Sequence, residues 1–70
     1  PALVRSEIWL RAGMTDTDYE ALLTARGREF PLGRVGEPED VAELIRYMAS
    51  DQAAWMTGNL IQVDGGAMLR

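Results

Sequence analysis

The 70-residue chain contains no cysteine, no histidine and no lysine, and each absence removes a class of function. Without cysteine there is no disulfide staple, and without cysteine or histidine the common zinc spacings cannot be built. The missing lysine leaves all seven basic residues as arginine, against eleven acidic residues, for a net charge of −4. That balance offers no basic stripe to neutralise phosphates, so no nucleic-acid partner is expected. No apolar run approaches the roughly 20 residues needed to span a bilayer, and the N-terminus lacks the charged-then-apolar layout of a signal peptide. The expectation is a soluble, cytoplasmic protein with no membrane partner.

What is present suits a packed chain. Hydrophobic residues make up 47% and charged residues 26%, ordinary values that argue against a disordered tail. A chain this short buries only about 60% of the surface its unfolded form exposes, so independent folding is marginal without a staple.

Three helical segments are legible from caps and spacing. Ser6 followed by Glu7-Ile8-Trp9-Leu10 predicts a short turn opened by a serine cap and ended near Gly13. Thr15 before Asp16, Thr17 and Asp18 gives a second start, with a hydroxyl for the exposed amides and carboxylates at the positive end of the dipole. Tyr19, Leu22 and Leu23 then form a buried stripe, and Arg26 and Arg28 stand near the other end, around Gly27. Phe30-Pro31-Leu32-Gly33 breaks the chain. Glu37-Pro38-Glu39-Asp40 opens the third helix, because proline is tolerated in the first turn and acids complement the dipole. Val41, Leu44, Ile45, Met48 and Ala49 follow as one continuous apolar stripe. Arg34 is expected to pair with Glu37, Glu39 or Asp40, an exposed contact worth about 0–1 kcal/mol.

Gly58-Asn59 turns into Leu60-Ile61-Gln62-Val63, an apolar run stopped by Asp64-Gly65-Gly66 that predicts one largely buried strand. A strand must exchange backbone hydrogen bonds with a neighbour, and each buried amide left unpaired costs about 1–3 kcal/mol. Nothing else in the chain has a strand pattern, so the neighbour is expected from outside these residues.

The order of these features from Pro31 to Gly66, PLGRVGEPEDVAELIRYMASDQAAWMTGNLIQVDGG, closely resembles the C-terminal end of the short-chain dehydrogenase/reductase family. The resemblance implies an α/β fold, here the C-terminal part of a Rossmann-like doubly wound parallel sheet, with two or three helices and one strand in this chain. Residues 1–70 would be an incomplete C-terminal portion of that domain. Residues 1–30 would be the substrate-loop (lid) helices, 37–50 the last amphipathic helix and 60–64 the last strand. The missing N-terminal part of the same protein would be a partner. The resemblance also implies a homo-oligomer, a tetramer in the family, whose contacts include the last helix and strand.

The family's strand before this point ends in Pro-Gly, with Val or Ile two positions later and then Thr or Ser. Here the run is Pro1, Ala2, Leu3, Val4, Arg5 and Ser6. By resemblance, Pro1 and Ala2 turn the chain beside the nicotinamide of NAD or NADP, the Val4 backbone bonds its carboxamide, and the Ser6 hydroxyl adds a contact. Ala2 replaces the usual glycine and Ser6 the usual threonine. Taken without the resemblance, the same six residues are an ordinary loop and helix cap.

The family's chemistry is hydride transfer between the nicotinamide and a carbonyl or alcohol substrate. It uses a tyrosine with a lysine four residues later, plus a serine. Tyr19 is followed at that spacing by Leu23, and Tyr47 by Asp51, so both tyrosines are expected to pack and no catalytic residue is assigned. The glycine spacing that cradles a pyrophosphate is also missing. Asp16, Asp18 and Glu20 point apart on a helix and are expected to be a solvated start, with no metal site. Trp9 and Met14 fall on the lid and either touch substrate or pack against the lid's own body. The competing function is a free-standing helical module that binds a partner protein through its apolar stripe. Pairing of Leu60–Val63 within the chain would favour that module; pairing with nothing would favour the enzyme segment.

Overall fold

The computed structural model describes residues 1–69. Helix α1 spans Ile8–Arg11, α2 Asp16–Gly27 and α3 Pro38–Met48, followed by short 3₁₀ turns at Asp51–Ala53 and Ala67–Leu69. Each helix lies in a segment read as helical from sequence, and α2 and α3 begin at the start signals read there. Thr15 caps α2, its Oγ1 accepting from the Asp18 amide at 3.2 Å. At α3, Glu37 and Asp40 form a reciprocal capping box with Pro38 in the first turn, and the Glu37 amide donates to Asp40 Oδ2 at 2.7 Å. The carboxylate thus satisfies one of the orphan donors every helix start leaves.

The first helix departs from expectation at its start. Glu7, not Ser6, holds the N-cap position and makes no side-chain cap. Ser6 Oγ instead accepts a long 3.4 Å bond from the Ile8 amide, because the backbone is already helical at Glu7, where φ is −89° and ψ −3°.

Tyr19, Leu23, Phe30 and Val35 form the core, with Leu3, Leu10, Met14, Leu22 and Ala67 packed around it. The core therefore sits between α2 and the turn that follows it. Gly27 makes that turn possible: a Cβ there would lie 2.9 Å from Arg34 Cα and 3.0 Å from the Val35 nitrogen. The Asp64–Gly66 turn docks onto the same segment, Leu32 N–H donating to the Gly65 carbonyl at 3.0 Å.

The strand expected over 60–64 is not formed. Among the described residues there is no strand, and extended backbone meets only in a parallel bridge between Val4 and Gly36. Leu60 to Val63 make no backbone hydrogen bond with any described residue, and Leu60 is 93% exposed. The physical reason is the one the sequence carries: no second strand-like segment stands alongside to exchange bonds. The stripe of α3 is only partly covered: Val41, Leu44 and Met48 are half-buried, none of the helix's residues is fully buried, and Ile45 is 62% exposed.

Arg34 pairs with Asp40, at 2.8 and 3.0 Å. That guanidinium, with the Glu37 amide second, pulls the Asp40 carboxyl from its ordinary 3.8 to about 2. A carboxyl with a lowered folded-state pKa adds stability that is complete above its unfolded value and disappears as pH falls through the folded one. Asp40→Asn should therefore flatten the stability–pH curve between pH 4 and about 2, as read by chemical denaturation across that range. An unchanged acid limb would contradict the pairing. For Gly27→Ala, helix propensity favours alanine by at most about 1 kcal/mol. Overlap with backbone that cannot swing away costs about 1–3 kcal/mol. Net destabilisation is expected, seen as a lowered midpoint in thermal unfolding.

Candidate functional site

The first six residues run as a loop strapped on both sides. On one side lies the turn before α3: the Arg5 amide donates to the Gly36 carbonyl and the Gly36 amide to the Leu3 carbonyl, each at 2.9 Å. On the other lies α2, where the Ser6 amide donates to Tyr19 Oη at 2.9 Å. Such close backbone approach suits a small residue at 36. A Cβ on Gly36 would meet Val4 Cγ2 at 3.2 Å, tighter than packed carbons accept without shifting.

In a parallel bridge the residues flanking the central one supply its bonds, so the central residue's own amide and carbonyl point to the opposite edge. Val4 is that central residue. Its N–H and C=O make no hydrogen bond among the described residues, while its neighbours on both sides are held. The loop therefore presents one donor and one acceptor on a fixed edge, the pair that a planar carboxamide matches.

The structure brings two of the four expected cofactor residues to one cavity. Ala2 and Val4 line a cleft of about 320 Å³ together with Gly36, Asp40, Gln62 and Gly65. Pro1 is exposed at the chain's first position, and Ser6 is exposed beside the cleft, with its hydroxyl turned to the Ile8 amide. Of the lid aromatics and methionines, Met14 packs on the core while Trp9 is half exposed. Among the described residues no cluster of three or more acidic, histidine or cysteine side chains could hold a metal. No described helix is long and apolar enough to cross a membrane.

Two features of the site were not anticipated. Tyr19 is 2% exposed and packs as expected, yet its hydroxyl also fixes the Ser6 amide. Arg5 carries an ion-pair system. Its guanidinium contacts Glu20 on α2 through both terminal nitrogens, and its Nε lies 3.0 Å from each oxygen of Glu37. Glu20 first, then Glu37, drives the Arg5 pKa further up, and the bond from Arg5 holds the Glu20 carboxyl below its usual range. The only sequence signal for this system was charge complementarity across long separations, which does not single out partners.

Comparison with known proteins identifies the family. Residues 5–68 match the family described as Enoyl-(Acyl carrier protein) reductase. A 3alpha-hydroxysteroid dehydrogenase of Mediterraneibacter gnavus is 45% identical over 60 residues, covering 79% of this chain and 24% of that protein. The 3-oxoacyl-[acyl-carrier-protein] reductase FabG of Rickettsia felis is 41% identical over 61 residues, 87% of this chain and 25% of the reductase. The chain thus spans about a quarter of the length of these relatives. Among solved structures, the ligand-free aldohexose dehydrogenase of Thermoplasma acidophilum superposes on all of this chain and 29% of its own, with a TM-score of 0.84 and 31% identity. With a matching family profile over nearly every residue and the fold of a Rossmann-type relative, the chain belongs to the short-chain dehydrogenase/reductase family.

Proposed function

We propose that these residues are the C-terminal segment of an NAD(P)-dependent oxidoreductase, which transfers a hydride between a nicotinamide cofactor and the carbonyl or alcohol carbon of a small molecule. The observation that carries this reading is the backbone of Val4, an unpaired donor and acceptor on a loop whose neighbours are tied to α2 and to Gly36. The bound nicotinamide supplies hydride transfer. The Val4 N–H would donate to the carboxamide oxygen and the Val4 carbonyl would accept from its nitrogen, so that this edge would hold the nicotinamide end of the cofactor. Pro1 and Ala2 turn the chain past the ring, and the Ser6 hydroxyl, held only by a long bond, rotates to add a contact. Tyrosine, lysine and serine at the family's catalytic spacing are supplied by the rest of the protein.

Residues 1–30 close the substrate pocket. Ile8 and Trp9 are 68% and 50% exposed, so these two side chains offer apolar surface to a substrate, while Leu10 on the same helix packs on the core. The half-covered stripe of α3 and the Leu60–Val63 run, unpaired among the described residues, support a role as the last helix and last strand of a larger parallel sheet, and as contacts of a homotetramer. A backbone run with no mate does not suit a free-standing binding module. The relatives' printed activities on steroid, acyl-carrier-protein and sugar substrates do not converge on one compound class, so the substrate is placed no more finely than a carbonyl or alcohol.

The test is fluorescence titration of the full-length protein with NADH and NADPH. The wild type should bind at least one of them, and Val4→Pro, which deletes the donor, should weaken that binding about tenfold, the worth of one well-made hydrogen bond. Val4→Ala, which keeps the backbone group, should bind as wild type. Failure of both dinucleotides to bind the wild type would overturn the reading.

A further inference from the structure

We propose that Arg5 is a positioning residue for cofactor binding: by holding Glu20 on α2 and Glu37 at the start of α3 together, it fixes the Val4 backbone edge between the two helices. The inference rests on the reading of Val4 given above, and it concerns what keeps that edge in place.

Arg5 follows Val4 directly, and its main chain and side chain act in different directions. The amide is bonded to Gly36, while the side chain reaches α2 through Glu20 and the α3 cap through Glu37. Fork-shaped guanidinium groups can serve two carboxylates at once, which an ammonium group cannot do with the same geometry. Glu37 is also an N-cap residue whose amide is held by Asp40, so the anchor on that side is itself immobile. Tyr19, buried beside Glu20, restrains the next residue along through its hydroxyl. Val4 is consequently bracketed, the amides of both residues that follow it being bonded to Gly36 and to Tyr19.

The energetics favour a positioning role over a stabilising one. The side chains of Arg5, Glu20 and Glu37 remain 36%, 58% and 41% exposed, and exposed pairs add little to folding stability. Their geometric effect is not diluted in the same way. A loop that must hold one donor and one acceptor in register loses binding free energy whenever it wanders, and preorganisation removes that loss. Since α2 belongs to the lid, the same guanidinium also ties lid placement to the nicotinamide edge.

The experiment uses the full-length protein and compares wild type with Arg5→Gln, Arg5→Lys, Glu20→Gln and the Arg5→Gln/Glu20→Gln pair. Arg46→Ala, on the outer face of α3 and paired only with Glu43, is the control. The readouts are the Kd for the dinucleotide that the wild type binds, the KM for cofactor against kcat, and the thermal midpoint. Arg5→Gln should raise Kd and cofactor KM about fivefold, within what two exposed ion pairs can supply, with kcat and midpoint close to wild type. Arg5→Lys should recover only part of the loss, the double variant should lose less than the sum of its singles, and Arg46→Ala should bind as wild type. Raising salt should weaken cofactor binding in the wild type more than in Arg5→Gln. Arg5→Gln with unchanged Kd and KM, or with a lowered midpoint and no selective effect on cofactor, overturns the proposal. If the wild type binds no dinucleotide, the reading of Val4 itself fails, a result distinct from either.

Discussion

Two hydrogen bonds between Gly36 and the backbone flanking Val4 organise the rest of this structure. They bring the first residues of the chain against the start of α3, which places Arg5 within reach of Glu37 and sets Ser6 over the Tyr19 hydroxyl. They also decide which backbone groups remain available. Because bridge bonds come from the residues on either side, Val4 is left with a free donor and acceptor on an edge that its neighbours cannot let move. Glycine at 36 suits this close approach, and a core built from Tyr19, Leu23, Phe30 and Val35 keeps the two sides of the strap together.

What was legible from sequence follows the range of the interaction involved. Helix ends are set by contacts within one turn, so Thr15 and the Glu37-Pro38-Glu39-Asp40 start announced α2 and α3, and Tyr19 and Leu23 emerged as core from their spacing. The Arg34–Asp40 pair was among the few partners its neighbourhood allowed. Arg5 was not legible: its partners lie 15 and 32 residues away, and composition cannot say which of eleven acidic residues the fold will deliver. The Ser6 contact with Tyr19 escaped for the same reason. Of the expected cofactor residues, Ala2 and Val4 reach the cleft through the bridge, whereas Pro1 and Ser6 stand at its margin.

The run from Leu60 to Val63 shows the opposite limit. Its pattern gives a strand, but a strand is a relation between two segments, and pattern alone supplies only one of them. The same holds for α3, whose apolar stripe is continuous in sequence but only half-covered in the structure, with Val41, Leu44 and Met48 half-buried and Ile45 exposed. An apolar face left in water forgoes roughly 25 cal/mol for each Å² that could be covered, and unpaired backbone adds to the deficit if the run is buried without partners. Both features suit a chain that spans about a quarter of its relatives' length, with the missing cover lying in the larger sheet that the proposed enzyme would possess.

Hydrogen exchange of the full-length protein, resolved at single amides with and without the dinucleotide it binds, tests the account most directly. The Arg5, Ser6 and Gly36 amides, already bonded within the segment, should be protected in both states, while the Val4 amide should exchange readily alone and slow markedly when cofactor is added. A Val4 amide whose exchange does not respond to cofactor, beside neighbours that do, would contradict it.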